Sequence, residues 1–386
     1  MTILNLSLAA LSLAAVSSAV VLPRNDTGSK GSLVQKRPVQ GSGVLKVPVT
    51  KQTSTGITKR QDFDPLQNIY NGYLIGLEIG TPLQSLQVQI DTGSYELWVD
   101  PDCANGNDPT YCETFNVYYP GNSSTASDEG ESFDLLYGTG EATGEYLIDD
   151  IVIGSGSIPQ TQFGWATWST FVNAGLMGIG LGYPWNLDYY GVIDQLYVYG
   201  VTASRAFSLD LASIDVADGS IIFGGIDTMK YIGSLYTAPM IDGPDSPDGS
   251  WRYWIYMSYV GVTLPNTTTS IPCTTSTYEQ GMFPDSGATL SQFPPNLFNA
   301  VIGHFPSAVQ QSDGSYTVDC ALRNQAGTID FGFGTKMIHV NFYDWLWAAN
   351  GLCYFGAQPN PDTFSLGDSF IRSAYCESSL FREEQK

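Results

Sequence analysis

One short motif occurs twice in this chain, and the two copies together restrict the fold more than any other feature of the sequence. Asp91-Thr92-Gly93-Ser94 is followed 194 residues later by Asp285-Ser286-Gly287, and apolar, strand-like residues precede each copy. A single copy has an ordinary interpretation as a solvated turn, because Asp, Ser, Thr and Gly are common turn residues. Two copies instead predict a chain of two halves, each of which brings one carboxyl group to a shared site.

Two carboxyl groups at one site have a characteristic chemistry. Like charges at close range cannot both ionise, so Asp91 and Asp285 would share one proton. The ionised carboxylate can then take a proton from water while the protonated carboxyl donates one to a leaving group. Such a pair favours the splitting of an amide bond by water, without a covalent intermediate.

Further motifs follow in an order that resembles the pepsin-like aspartic proteases. Trp98 comes seven residues after the first Asp, and Tyr137-Gly138-Thr139-Gly140 resembles the tip of the flap, the hairpin that closes over substrate in that family. Taken alone, the second motif is also consistent with a plain hairpin turn. Residues 175–180 and 364–372 resemble the apolar segments that run behind the two catalytic turns. The resemblance covers about Tyr70 to Tyr375. Within the family, the chain resembles the secreted fungal members.

The resemblance implies a mostly β, bilobal pepsin-like acid protease fold, in which two β-rich lobes flank an active-site cleft. Composition agrees, since the chain has 41 Gly, 21 Pro and little long helical periodicity. The clearest helix candidates are short, at residues 192–199 and at residues 296–303 after two prolines. The implied domains are an N-terminal lobe over residues 61–238 and a C-terminal lobe over residues 239–386.

The resemblance also implies a role for each motif residue. Asp91 and Asp285 are the expected catalytic pair of an aspartic endopeptidase that cuts polypeptides at acid pH, with no cofactor and no metal. The expected supporting residues of the two turns are Thr92, Gly93, Ser94, Ser286 and Gly287. The residues expected at the flap and the substrate are Tyr137, Gly138, Thr139, Trp98 and Thr289. The hydroxyl of Tyr137 is expected to accept a hydrogen bond from the indole N–H of Trp98.

Three features depart from the family pattern and leave a second function open. Ala288 stands where the family usually has a hydroxyl beside the second Asp, and Pro284 removes a backbone donor in an expected sheet interior. The sequence given ends 11 residues after Tyr375, where the family continues further, so we expect an uncovered strand edge in the C-terminal lobe. The alternative function is a catalytically impaired pepsin-fold protein that binds peptides or an extracellular partner.

The first 60 residues predict a secreted precursor. Residues 1–19 resemble a signal peptide, because an apolar run ends at Ser17-Ser18-Ala19. A membrane anchor is the alternative, but the run is short and rich in Ser and Ala. Residues 20–60 hold eight Lys or Arg against one acid, Asp26, and end at Lys59-Arg60. We expect cleavage after Arg60, so that residues 20–60 form a propeptide.

Charge separates this segment from the rest of the chain. The whole chain has 16 basic and 38 acidic residues, which leaves eight and 37 outside residues 20–60, a formal charge of −29. A basic arm before an acidic body predicts a propeptide that inhibits by lying in the acidic cleft, although a disordered tail for an anionic partner has the same composition. The acidic body excludes nucleic acid as a partner. We expect a monomer without a membrane anchor.

Six cysteines in a secreted chain predict disulfide bonds. The family resemblance implies the pairs Cys103–Cys112 and Cys320–Cys353. Cys273 and Cys376 remain; they could pair with each other, or Cys376 could be free. Asn122 and Asn266 begin Asn-X-Ser/Thr sequons in polar surroundings, so both are expected glycosylation sites.

Overall fold

The computed structural model describes residues 17–23, 43–51, 72–214, 218–349 and 351–380. Strands dominate these residues, and the helices are short. The strands of the first half are β1 (Ser17–Pro23), β2 (Leu45–Lys51), β3 (Tyr73–Ile79), β4 (Gln84–Asp91), β5 (Leu97–Val99), β6 (Ser127–Leu136), β7 (Glu141–Ile153), β8 (Gly156–Thr170), β9 (Gly175–Gly178), β10 (Ala206–Asp210), β11 (Asp218–Phe223) and β12 (Thr237–Pro239).

The second half adds further short strands. They are β13 (Ile255–Met257), β14 (Tyr259–Thr263), β15 (Ile271–Pro272), β16 (Gln280–Pro284), β17 (Ser291–Phe293), β18 (Val309–Gln310), β19 (Tyr316–Val318), β20 (Thr328–Phe333), β21 (Lys336–Asn341), β22 (Trp347–Ala349), β23 (Leu352–Tyr354), β24 (Ala357–Pro359), β25 (Ser365–Leu366) and β26 (Ala374–Leu380). The α-helices are α1 (Pro109–Cys112), α2 (Val192–Val198), α3 (Pro295–Ile302), α4 (Phe342–Trp345) and α5 (Asp368–Ile371). Helices α2 and α3 confirm the two expected helices to within one residue at each end.

The described strands form one large sheet and three small ones. The large sheet has 13 strands in the order β12-β1-β26-β10-β11-β2-β3-β4-β9-β5-β8-β7-β6. The small sheets have the orders β13-β16-β25-β17-β24, β15-β14-β20-β21 and β18-β19-β23-β22. A continuous apolar core lies between these layers, and a smaller cluster around Trp98 and Phe133 lies beneath the flap. None of the helices in the described part of the chain is long and apolar enough to cross a membrane.

Strand β2 lies within the segment that the sequence assigns to the propeptide. Leu45, Val47 and Val49 alternate with exposed residues and are buried, so one face of the strand packs into the core. β2 pairs with β11 and β3, and the ammonium group of Lys46 lies 2.7 Å from Asp227 Oδ2. This strand therefore occupies the sheet and not the cleft. Residues 24–42 and 52–60, which include Arg60, lie outside the described residues. Inhibition by the segment of residues 20–60 stays a prediction.

In the full chain, which still carries residues 1–60, strand β26 does not show the uncovered edge that we expected. It lies between β1 and β10, and β1 pairs with it from Ser17 opposite Leu380 to Pro23 opposite Ala374. The backbone groups of both edges are therefore engaged by neighbouring strands. Residues 1–16 of the expected signal peptide lie outside the described residues, and residues 17–19 begin β1. The boundaries of the signal peptide and of the two lobes stay predictions.

Both implied disulfides are present in the structure. The Cα atoms of Cys103 and Cys112 are 5.4 Å apart, and those of Cys320 and Cys353 are 5.2 Å apart. Cys273 is partly exposed and Cys376 is buried in β26, and neither forms a disulfide within the described chain. Asn122 and Asn266 are both exposed at turns, and their glycosylation stays a prediction.

Candidate active site

Each of the two Asp-containing turns begins where a strand ends beside a parallel neighbour. Asp91 ends β4, which runs parallel to β9, and its carbonyl accepts a hydrogen bond of 2.9 Å from the backbone N–H of Ile179. Asp285 follows β16, which runs parallel to β25, and its own N–H donates to Leu366 O at 2.9 Å. The apolar segments that the sequence placed behind the turns therefore anchor them directly.

Pro284 is accommodated without the loss of a bond to this neighbour. On the edge of β16 that faces β25, the N–H of Phe283 donates to Phe364 O at 3.3 Å and that of Asp285 donates to Leu366 O at 2.9 Å. Alternate residues of a strand direct their N–H groups to opposite edges, so the nitrogen of Pro284 faces away from β25. The carbonyl of Pro284 accepts a hydrogen bond of 2.8 Å from Thr92 Oγ1. The proline therefore does not disturb the second turn.

The two turns are tied together by reciprocal hydrogen bonds between Thr92 and Ser286. Thr92 N–H donates to Ser286 Oγ at 3.1 Å, and Ser286 N–H donates to Thr92 Oγ1 at 2.9 Å. The hydroxyl of Ser286 donates onward to Ile90 O at 3.0 Å, as that of Thr92 does to Pro284 O. Both side chains are buried, so these bonds hold the two halves of the molecule in register.

The tie brings the two carboxyl groups within hydrogen-bonding reach of each other. Asp91 accepts from Gly93 N–H at 2.7 Å and from Ser94 Oγ at 2.5 Å, whereas Asp285 accepts from Gly287 N–H at 3.1 Å. Burial, reinforced by the negative charge of Asp91, raises the pKa of Asp285, and the nearby Arg252 guanidinium opposes the rise. The surroundings of Asp285 therefore favour its protonated form beside Asp91.

Glycine is required at the third position of both motifs. A Cβ atom on Gly93 would lie 2.6 Å from Asp285 Oδ1, and one on Gly287 would lie 2.5 Å from Asp91 Oδ1. Each glycine thus gives the opposite carboxyl group the space to approach.

The flap hairpin covers the carboxyl pair. Tyr137 N–H donates to Gly140 O at 2.7 Å and closes the turn between β6 and β7. The indole N–H of Trp98 donates to the hydroxyl of Tyr137 at 2.7 Å, which is the expected contact. Trp98 is fully buried in the cluster beneath the flap, so it fixes the position of the tyrosine ring.

A cleft with a cavity of about 620 Å³ lies between the flap and the two turns. Those predicted residues that line it are Asp91, Gly93, Ser94, Tyr137, Gly138, Thr139, Asp285, Gly287 and Thr289. Thr92, Trp98 and Ser286 are buried and do not line the cavity.

Three charged residues that line the cleft were missed from the sequence: Glu96, Arg252 and Asp313. Glu96 lines the cavity and accepts hydrogen bonds from the hydroxyls of Tyr146 and Tyr189 at 2.7 and 2.9 Å, and burial raises its pKa. Arg252 lines the cavity beside Gly93. Arg252 could have been noticed in the sequence, because Lys and Arg are rare outside residues 20–60, where only eight occur.

The pKa shifts of acidic side chains outside the cleft predict how stability depends on pH. Burial raises the pKa of Asp100 to about 6, although Tyr118 N–H and the indole of Trp165 donate to it. The folded state thus prefers the protonated acid, so this contribution to stability is complete below about pH 4 and is lost as the pH rises through 6. A pKa raised from 3.8 to about 6 corresponds to about 3 kcal/mol. The lowered pKa values of Asp149 and Asp330 act oppositely, below about pH 4.

We therefore expect the free energy of unfolding to fall as the pH rises from 4 to 7, which denaturant titrations at several pH values would measure. Asp100→Asn should flatten this decline, whereas Asn at the exposed Asp128 should leave it unchanged. A stability that is constant or increases over this range would contradict the role of Asp100.

Comparison with known proteins assigns the class of this fold and site. A family model described as eukaryotic aspartyl protease matches residues 72–384. "Probable aspartic-type endopeptidase opsB" of Aspergillus oryzae is 29% identical over 391 residues, covering 95% of this chain and 77% of the relative. "Acid protease" of Saccharomycopsis fibuligera is 33% identical over 334 residues, covering 80% and 78%. "Candidapepsin-1" of Candida albicans is 32% identical over 358 residues, covering 86% and 85%.

A solved structure shows the same fold. The aspartic proteinase from Irpex lacteus superposes with a TM-score of 0.65 at 18% identity, covering 88% of this chain and 98% of that one. The fold is thus the mostly β, bilobal pepsin-like fold that the motifs implied. The chain belongs to the eukaryotic aspartyl protease family, and it is a pepsin-like aspartic endopeptidase that acts on polypeptides.

Proposed function

We propose that this chain is a secreted endopeptidase that hydrolyses peptide bonds at acid pH by activating one water molecule between Asp91 and Asp285. The observation that carries the proposal is the pair of carboxyl groups within hydrogen-bonding reach at the floor of the cleft, where the pKa of Asp285 is raised. Such a pair holds one proton over an acidic pH range, which supplies a base and an acid together.

The hydrogen bonds of the two turns suggest which carboxyl group holds the proton. Asp91 accepts from two donors, Gly93 N–H and Ser94 Oγ, which favour its ionised form. Asp285 accepts from Gly287 N–H, and Ala288 supplies no hydroxyl. Asp91 is therefore the base that takes a proton from the water, and Asp285 is the acid that protonates the substrate carbonyl oxygen as the water oxygen bonds to its carbon.

The reaction is completed when the carbon–nitrogen bond breaks. The proton that Asp91 took from the water passes to the amine nitrogen, and Asp285 recovers its proton as the carbonyl of the new acid re-forms. The dyad ends in its starting protonation state. Thr92 and Ser286 keep the two carboxyl groups in position through the cycle by their mutual bonds.

The cleft suits an extended polypeptide. Tyr137, Gly138 and Thr139 form its roof, and Thr289 lies on the floor beside the second turn. An extended peptide placed there can add backbone hydrogen bonds to both walls. Secretion is supported by relatives named secreted aspartic proteases in Candida albicans and by the two disulfides. We further propose that the mature enzyme is a monomer and that residues 20–60 inhibit it until their removal.

The proposal is tested by digestion of denatured protein across pH 3 to 7, with residues 20–60 present and after their removal. We expect the processed enzyme to cut at acid pH, to be blocked by a statine-type mimic of the tetrahedral intermediate, and to be silent near neutral pH as the intact precursor. Absence of cleavage throughout this range, or cleavage that the mimic does not affect, would contradict the proposed mechanism.

A further inference from the structure

Arg252 enters the cleft from a segment whose backbone is firmly held. The indole of Trp251 packs against that of Trp185, with ring centroids 5.9 Å apart, and the carbonyl of Trp251 accepts from Asn186 Nδ2 at 2.8 Å. On the other side, Tyr253 is buried and its hydroxyl donates to Ile179 O at 3.2 Å. The position of the Arg252 backbone relative to the first catalytic turn is thus fixed.

The guanidinium group is also fixed in orientation. Its Nη1 donates to the carbonyl of Gly93, its Nε donates to Asp248 Oδ2 at 3.1 Å, and its Cζ lies 4.9 Å from the ring centre of Phe283. Nη2 has no hydrogen-bond partner among the residues that the structure describes, and the side chain is 28% exposed. A pre-positioned donor therefore remains available next to the catalytic turn.

Arg252 is the only cation among the described residues that line the cleft. A guanidinium stays charged throughout the acid range, so this charge is present wherever the proposed enzyme works. Asp248 offsets part of the charge, but it lies toward solvent and also accepts from Ser250 N–H at 2.8 Å. A planar guanidinium with a free terminal nitrogen is well suited to bind a carboxylate through charge-assisted hydrogen bonds.

We propose that Arg252 binds a carboxylate of the peptide substrate, so that the enzyme prefers substrates with an acidic residue close to the cleaved bond. The inference rests on the proposed function and adds its side-chain preference. The guanidinium contacts the carbonyl of Gly93, which follows Asp91 by two residues in the chain, so it lies close to the catalytic pair. Because an extended peptide advances about 3.3 Å per residue, the acidic residue would lie within about two positions of the cleaved bond. If Arg252 had only a structural role, the enzyme would cut substrates with and without an acidic residue equally well.

The first test uses the unmodified enzyme and pairs of peptides that differ only in Glu or Gln, placed in turn at each of three positions on either side of one cleavable bond. At pH 5, where most free Glu is ionised, kcat/KM should favour Glu by about 10-fold or more at one position or at two adjacent ones. At pH 3 the preference should shrink, because Glu becomes protonated. A wild-type enzyme that treats every pair equally at pH 5 would overturn the proposal.

The second test compares variants by the same Glu-to-Gln ratio, which cancels any general effect on the catalytic pair. Arg252→Gln should reduce the ratio to about 1, and Arg252→Lys should retain part of it. Arg323→Gln removes an arginine outside the cleft and should keep the wild-type ratio. A full preference in Arg252→Gln would overturn the assignment.

Two further outcomes are decided by the same peptides. If Arg252→Gln does not fold, the Lys variant and the pH dependence of the wild type decide. If the wild type cuts neither peptide of any pair, the proposed function fails, and calorimetric affinities for the Glu and Gln peptides still test carboxylate binding by Arg252.

Discussion

Asp91→Asn and Asp285→Asn should each lower peptide hydrolysis by at least about 10³-fold while leaving the fold intact, because each change removes either the base or the acid of the proposed pair. Asn has nearly the shape of Asp, so it can still accept from the N–H of Gly93 or Gly287. Turnover of a peptide substrate at acid pH measures the first effect, and circular dichroism with a denaturant titration measures the second. Asn at the exposed Asp245 is the matched control and should retain wild-type turnover.

Stability gives an independent readout of the same variants. The pKa of Asp285 is raised in the folded state. Ionisation of this carboxyl group therefore destabilises the folded state once the pH exceeds the pKa of an ordinary carboxyl group. Asp285→Asn should therefore be more stable than the wild type at neutral pH, although it is inactive. Should either Asn variant keep most of its turnover, the assignment of the carboxyl pair would be wrong.

Those parts of the site that depend on local sequence could be predicted. Each Asp-containing motif specifies a tight turn after an apolar strand, and a repeat of the motif in both halves implies one shared site. The flap could be predicted for a similar reason, since Tyr137-Gly138-Thr139-Gly140 forms the tip of a hairpin whose two strands are neighbours in the sequence. The contact between Trp98 and Tyr137 followed from the family resemblance.

Contacts between distant segments that carry no motif of the family could not be predicted. The alternation of Leu45, Val47 and Val49 was present in the sequence, but only the fold shows that this strand pairs with β11, more than 160 residues away. Arg252 meets Gly93 across 159 residues. The effect of Pro284 depends on which edge of β16 faces β25, a property of register that composition does not reveal.

The bonds between the two turns lead to the second large effect. Thr92→Val keeps the shape of the side chain but leaves the N–H of Ser286 and the carbonyl of Pro284 buried without a partner. Each unpaired group costs about 1–3 kcal/mol, so we expect the free energy of unfolding to fall by about 2–5 kcal/mol. Denaturant titration measures this loss, and Val at the exposed Thr167 is the control for the substitution itself.

A double-mutant cycle with Ser286→Ala separates the tie between the turns from the contribution of each side chain. Ser286→Ala removes the acceptor of the Thr92 N–H and the donor to Ile90 O, so the two residues belong to one network. Their combined cost should therefore differ from the sum of the single costs by about 0.5–3 kcal/mol. Activity should decline in parallel, because the carboxyl groups lose their fixed separation. If Thr92→Val instead left both stability and turnover unchanged, the parallel strands β9 and β25 would suffice to hold the two turns, and the hydroxyl bonds between them would have no role in positioning the pair.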